Sequence, residues 1–168
     1  MQRVDLVDFE RQSMQRVDLV DFDHNYFSKS KEWLSDPEVI KLADAHDVTD
    51  EQRIVWFKSL SQRDDYYIKG VSVSGIPVGA VGIKHIDKDK ATGEYWGYIG
   101  EKQYWGKGIG KEMIRKILEL AYSSLKLRKI YLKVLNDNFR AISLYDKIGF
   151  KKIGTDENYI LMEIELPK

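Results

Sequence analysis

Apolar residues change their spacing several times along the chain, and each change marks an element. Val17, Leu19 and Phe22 alternate with polar neighbours, the period of a first strand. Residues 25–45 carry helical spacing broken at Ser35-Asp36-Pro37. Pro37 suits the first turn of a second helix, with Ser35 or Asp36 as its cap. Thr49 followed three residues on by Gln52 is a capping-box start. The helix it opens is expected to turn Ile54, Val55, Phe57, the Lys58 stem and Leu60 toward a core and to end near Gln62.

Asp64-Asp65 reads as a turn, and residues 66–74 alternate as a strand. Ser74-Gly75-Ile76-Pro77 is a hairpin turn, residues 78–86 return, and 87–93 form a polar loop. Residues 94–100 make the third strand of this meander. A helix over 111–125 carries Met113, Ile114, Ile117, Leu118, Ala121 and Leu125 on one side. Then come a strand at 129–135, a short helix at 139–147 capped by Asn138 and stopped at Gly149, and two strands at 150–153 and 159–166. The order predicts an α/β (α+β) fold with a mixed, mostly antiparallel central sheet. A helix links the third meander strand to 129–135, so those two strands run parallel. Splaying of that pair would open a slot.

Nine residues, Met1 to Phe9, recur unchanged as Met14 to Phe22. Nothing further repeats, so no solenoid is implied. The expectation is a duplicated extension over 1–13 and one working domain over 14–168.

Composition narrows the function. The 168 residues balance 27 basic against 27 acidic side chains, and no long basic run appears. Nucleic-acid affinity rests on neutralising phosphates, so nucleic acid is not expected as a partner. With no cysteine, a Cys nucleophile, a disulfide framework and a thiolate metal site are excluded. That fits a reducing cytoplasm, the expected location. No stretch reaches the ~18 apolar residues of a membrane span, and no signal-peptide pattern opens the chain.

The most informative stretch runs from Tyr98 to Gly110: the end of a strand, a glycine-rich turn and a helix start. Gly106, Gly108 and Gly110 allow a sharp turn and close approach of a ligand to the backbone. Free N–H groups at a helix start make an anion site. The Walker pattern is excluded because no Ser or Thr follows the Gly106-Lys107 pair. The dinucleotide fingerprint is excluded because Lys111 and Met113 stand where it needs glycine.

What stands is Gln103-x-x-Gly106-x-Gly108, which resembles the pyrophosphate-binding motif of the GCN5-related N-acetyltransferases. A second stretch, Asn138-x-x-Ala141-x-x-Leu144-Tyr145-x-Lys147-x-Gly149-Phe150, is similar to another segment of that family. The resemblance covers about residues 66–166 and looks closest to the RimJ/RimL-like branch. It implies the acetyltransferase fold, acetyl-CoA as co-substrate without a metal, and direct attack by a primary amine. The acceptor is expected to be a small molecule, an amino-sugar nucleotide or polyamine. A protein N-terminus and a non-catalytic acyl-CoA-binding module are the alternatives, and a homodimer is the assembly considered.

By the same resemblance, backbone N–H groups of Trp105, Gly106, Lys107, Gly108, Ile109 and Gly110 would cradle the pyrophosphate. Backbone groups of Tyr98, Ile99 and Gly100 would pair with the pantetheine arm. Asn138 would meet the cofactor, or serve only as a helix cap. Tyr145 would protonate the leaving sulfur, or be a core tyrosine. Glu94 would take a proton from the amine through water, or be a surface carboxylate. His85 is a further base candidate, against a purely structural role.

Overall fold

The computed structural model describes residues 16–45 and 48–167. A seven-stranded sheet has the order β1-β2-β3-β4-β5-β7-β6, with β1 Val17–Asp21, β2 Tyr67–Val73, β3 Ile76–Asp87, β4 Thr92–Ile99, β5 Lys129–Leu135, β6 Lys151–Asp156 and β7 Tyr159–Glu165. The helices are α1 His24–Trp33, α2 Pro37–Ala43, α3 Asp50–Ser59, α4 Ile109–Ser123 and α5 Phe139–Ile148. β4 and β5 run parallel, with Thr92 to Glu94 in register with Lys129 to Tyr131. β7 pairs antiparallel with both β5 and β6. The expected mixed sheet, with its one parallel pair, is present.

Contacts group the chain into two compact units. The first holds β1, α1, α2, most of β2, the first half of β3, the end of β4 and the glycine turn. Its β1 comes from the second copy of the duplicated segment, and Val17 to Asp21 pair antiparallel with Val73 to Lys69. The expected extension over 1–13 lies outside the described residues. Asp23 caps α1 by accepting from the Tyr26 amide, and Asp36 caps α2 with Pro37 in its first turn. Buried Tyr26, Trp33 and Val39 form a cluster with Val20, Phe22, Leu34, Tyr98 and Trp105 around them. The hairpin turn is shorter than expected: Ser74 and Gly75, with φ +49° and +84°, complete it alone. Both are left-handed, as a two-residue hairpin requires.

The second unit holds α3, the second half of β3, the start of β4, most of α4 and everything after it. Its core includes Ile83, Ile114, Ile117, Leu127, Ile130, Leu132, Phe150 and Ile164, each at most 4% exposed. Thr49 and Gln52 form the expected capping box on α3. The orientation of that helix corrects the expectation. Ile54 and Val55 face solvent, at 45% and 69% exposure, and α3 buries no residue fully. The half-buried stripe is Arg53, Trp56, Phe57 and Leu60, an i, i+3, i+4, i+7 set. Trp56 sets this facing, with its indole edge-on to the Tyr66 ring at 5.9 Å. Phe57 and Leu60 fall on the inner side as expected.

Candidate functional site

The glycine turn lies in the first unit. A single 3-10 turn over Lys102–Tyr104 leads into it, an element the sequence pattern did not reveal. Gly106 and Gly108 have φ +76° and +80°, and a Cβ on Gly108 would meet nothing within 4 Å. Glycine here serves backbone conformation and leaves open space beside the turn. α4 starts at Ile109, two residues earlier than expected. The amides of 106–110 therefore sit at the N-terminus of a 15-residue helix, where the dipole favours an anion. Ile109 is buried and anchors the helix start, while Gly106, Lys107 and Gly108 are exposed. The Lys107 ammonium lies 5.8 Å from the Tyr104 ring centre.

The strand end behind the turn is already partly committed. The Gly100 amide donates to the Val78 carbonyl at 2.7 Å, and the Trp105 indole donates to the Ile99 carbonyl at 2.8 Å. A side chain at Gly100 would collide with the Trp33 indole. The Trp33 indole donates to Glu101 at 2.9 Å. Lys102 pairs with Asp36 at 2.7 Å and holds that carboxyl below the usual range. These contacts of Trp33, Glu101 and Asp36 had no local sequence signal, because their partners are more than sixty residues apart.

The candidate proton-transfer groups lie in the second unit. Glu94 is the third residue of β4 and is buried, at 9% exposure, so the surface-carboxylate reading does not hold. Its Oε1 lies 2.9 Å from His85 Nδ1, and its Oε2 lies 3.9 Å from the Lys84 ammonium. Lys84 and His85 are consecutive, so a regular strand would send them to opposite faces. His85 has φ +52° inside β3, and this left-handed residue breaks the alternation. Both side chains therefore reach one carboxylate. A non-glycine residue held this way costs about 1–3 kcal/mol and persists only where its surroundings demand it. Burial, and then the Glu94 charge, pushes the Tyr131 phenol up.

Tyr145 lies on α5 with its ring edge-on to Tyr95 at 6.0 Å and to Phe150 at 5.7 Å. Burial pushes its phenol up to about 12, and burial also raises Tyr95 well above its ordinary value. Tyr145 therefore keeps its proton across the neutral range. Asn138 caps α5 by accepting from the Ala141 amide at 3.2 Å, so its capping role is present. Among the described residues no group of acidic or imidazole side chains could hold a metal. No helix there is long and apolar enough to cross a membrane.

A model of the acetyltransferase (GNAT) family matches residues 26–150. The chain is 41% identical over 81 residues to an N-acetyltransferase 9-like protein of Caenorhabditis elegans, covering 48% of this chain and 40% of that protein. It is 28% identical over 134 residues to the uncharacterized N-acetyltransferase p20 of Bacillus licheniformis, covering 76% and 75%. Among solved structures, spermidine N-acetyltransferase from Vibrio cholerae, in complex with CoA and spermine, matches with a TM-score of 0.78 at 19% identity. That match covers 89% of this chain and 95% of the other and reflects a shared fold.

Proposed function

The chain belongs to the GNAT acetyltransferase family, and from that premise we propose that it moves the acetyl group of acetyl-CoA to a primary amine of a small molecule. The observation that carries the reading is the turn. Two left-handed glycines, open space at Gly108 and the N-terminus of α4 fit a pyrophosphate. The amides of Trp105 to Gly110 bind it, and Tyr98 to Gly100 offer the pantetheine arm those backbone groups not already bonded within the protein. Asn138 adds a cofactor contact to its capping role.

The chemistry is a single displacement. The neutral amine attacks the thioester carbonyl, a C–N bond forms and the C–S bond breaks. Tyr145 gives its proton to the departing sulfur, and Glu94 assists removal of the proton that the amine loses. No acyl-enzyme is needed, in keeping with a chain that has no cysteine. We place the chain in the RimJ/RimL-like branch, as one cytoplasmic domain over 14–168 that forms a homodimer. Polyamines and amino-sugar nucleotides lead the acceptor classes. The polyamine reading draws support from the fold shared with the spermine-bound Vibrio enzyme.

Incubation with acetyl-CoA and a panel of amines, read by release of free thiol, tests this. Turnover with spermine or an amino sugar is expected. Turnover only with a peptide bearing a free N-terminus would move the acceptor to proteins. CoA binding without any turnover would make the chain a binding module.

A further inference from the structure

Glu94 and His85 are more than two neighbouring base candidates, because their surroundings give them different tasks. Glu94 is buried, and its two oxygens face His85 Nδ1 at 2.9 Å and the Lys84 ammonium at 3.9 Å. A carboxylate so engaged is a poor receiver of a substrate proton. The His85 side chain is 63% exposed. Its Nδ1 is taken by Glu94, and among the described residues Nε2 has no hydrogen bond. His85 also lines a cavity of about 450 Å³ with Asp64, Asp65, Ile86, Asp87 and Lys88. Three of those six residues are carboxylates. Asp65 pairs with Arg63 at 2.9 Å and Asp64 with Lys88 at 3.8 Å. Among the described residues Asp87 is the acidic group there without a cationic partner, free to offer its charge to an incoming ammonium.

We infer that His85 Nε2 is the atom that takes the proton from the acceptor amine, and that Glu94 is a positioning residue that holds Nδ1–H. The inference rests on the acetyl-transfer reading and names its base. A neutral imidazole carries one proton, and a carboxylate on Nδ1 keeps it there and leaves the Nε2 lone pair free. The substrate ammonium gives one proton to Nε2 and its neutral nitrogen attacks. Tyr145 protonates the sulfur as the C–S bond breaks, and the second proton lost by the nitrogen restores the phenol through solvent. The imidazolium is balanced by the Glu94 charge. The ring later releases the Nε2 proton to solvent. The left-handed backbone of His85 is the feature that aims the ring at Glu94. Charged groups facing His85 are Glu94 on β4, Lys84 beside it, Asp65 with its ion-pair partner Arg63, and Asp64, Asp87 and Lys88 around the cavity. Tyr131 on β5 lies in the Glu94 field.

The test pairs His85→Gln with Glu94→Gln in pH profiles of kcat/KM, using the best amine of the panel. The wild-type acid limb is expected to vanish in H85Q, with a fall of at least about 100-fold on the plateau. In E94Q the limb is expected to persist while the plateau falls, because the ring remains and has lost the carboxylate that fixes its Nδ1–H. If H85Q keeps the limb and E94Q abolishes it, Glu94 is the base and the inference falls while acetyl transfer stands.

A second readout needs no turnover. Long-range nitrogen–proton spectra of the unliganded protein should show the neutral His85 ring protonated at Nδ1, and E94Q should lose that preference. An Nε2–H tautomer in the wild type would overturn the inference whether or not any amine is acetylated. Absence of acetylation with every amine would instead count against the proposed function.

Discussion

The Trp33 indole donates to the Glu101 carboxylate at 2.9 Å, and this bond ties the end of α1 to the residue that enters the glycine turn. Gly100 makes the approach feasible, because any Cβ there would collide with the indole. Trp33 is 4% exposed and packed on Tyr26, with Tyr98 edge-on to it at 6.2 Å, so the ring has little room to retreat. Gly100→Ala is therefore expected to destabilise by about 2–3 kcal/mol, the scale of overpacking a core. Trp33→Phe should cost a comparable amount through the lost bond to a charged acceptor and the smaller ring. Thermal unfolding checks both, and a melting temperature unchanged in G100A would show that Trp33 does not hold the turn.

Gly108 behaves differently from Gly100. Its left-handed φ of +80° penalises a side chain, but a Cβ there meets no atom within 4 Å. Gly108→Ala should cost about 1 kcal/mol of stability through backbone strain alone. The methyl would enter the space where the pyrophosphate approaches the amides. Calorimetric affinity for CoA is expected to fall at least about tenfold with the fold intact. Unchanged affinity would remove this turn from the cofactor site.

Period and punctuation made much of this molecule readable. The capping box at Thr49, Asp36 before Pro37, the strand period of 159–165 and Asn138 ahead of α5 each act through neighbours close in sequence, and each appears where expected. The facing of α3 was not readable. Arg53 stands on its half-buried stripe where an apolar residue would have announced the inner side, while Ile54 and Val55 are apolar and outside. The pairing at Glu94 was also hidden. Strand alternation separates Lys84 from His85, and only the left-handed φ at His85 reunites them. Glu101 gave no signal for its bond to Trp33, because a contact across 68 residues leaves no local period.

The strand at the sheet edge gives a third prediction. Val17 to Asp21 already occupy the edge beside β2 through five registered pairs, Val17 with Val73 to Asp21 with Lys69. That edge is filled by the second copy of the repeated segment. Deleting residues 1–13 should leave the melting temperature within about 2 °C, since surface and terminal changes away from packed contacts seldom exceed ~0.5 kcal/mol. Acetylation should be unaffected. A large loss of melting temperature would show that the first copy carries part of the fold.

Tyr145 joins stability to chemistry through one phenol. Burial raises its pKa from the ordinary value near 10 to about 12. Because the folded form holds its proton more tightly, the associated stability is fully present below about pH 10. It is lost as pH rises through about 12, where the folded phenol also ionises. Two units correspond to at most about 2–3 kcal/mol. Tyr145→Phe should flatten the fall in melting temperature between about pH 10 and 12, leaving the part due to the other buried phenol, Tyr95. If Tyr145 also donates to the leaving sulfur, the same variant should lose ~10²-fold or more in kcat, with KM for acetyl-CoA little changed. The ring of Phe would still meet Tyr95 and Phe150, so packing alone cannot produce that loss. Turnover and alkaline melting measured on one preparation separate the two roles. A variant with a flattened alkaline profile but near-normal kcat would leave Tyr145 as a packing residue, and the departing thiolate would then take its proton from water or from the protonated product of attack.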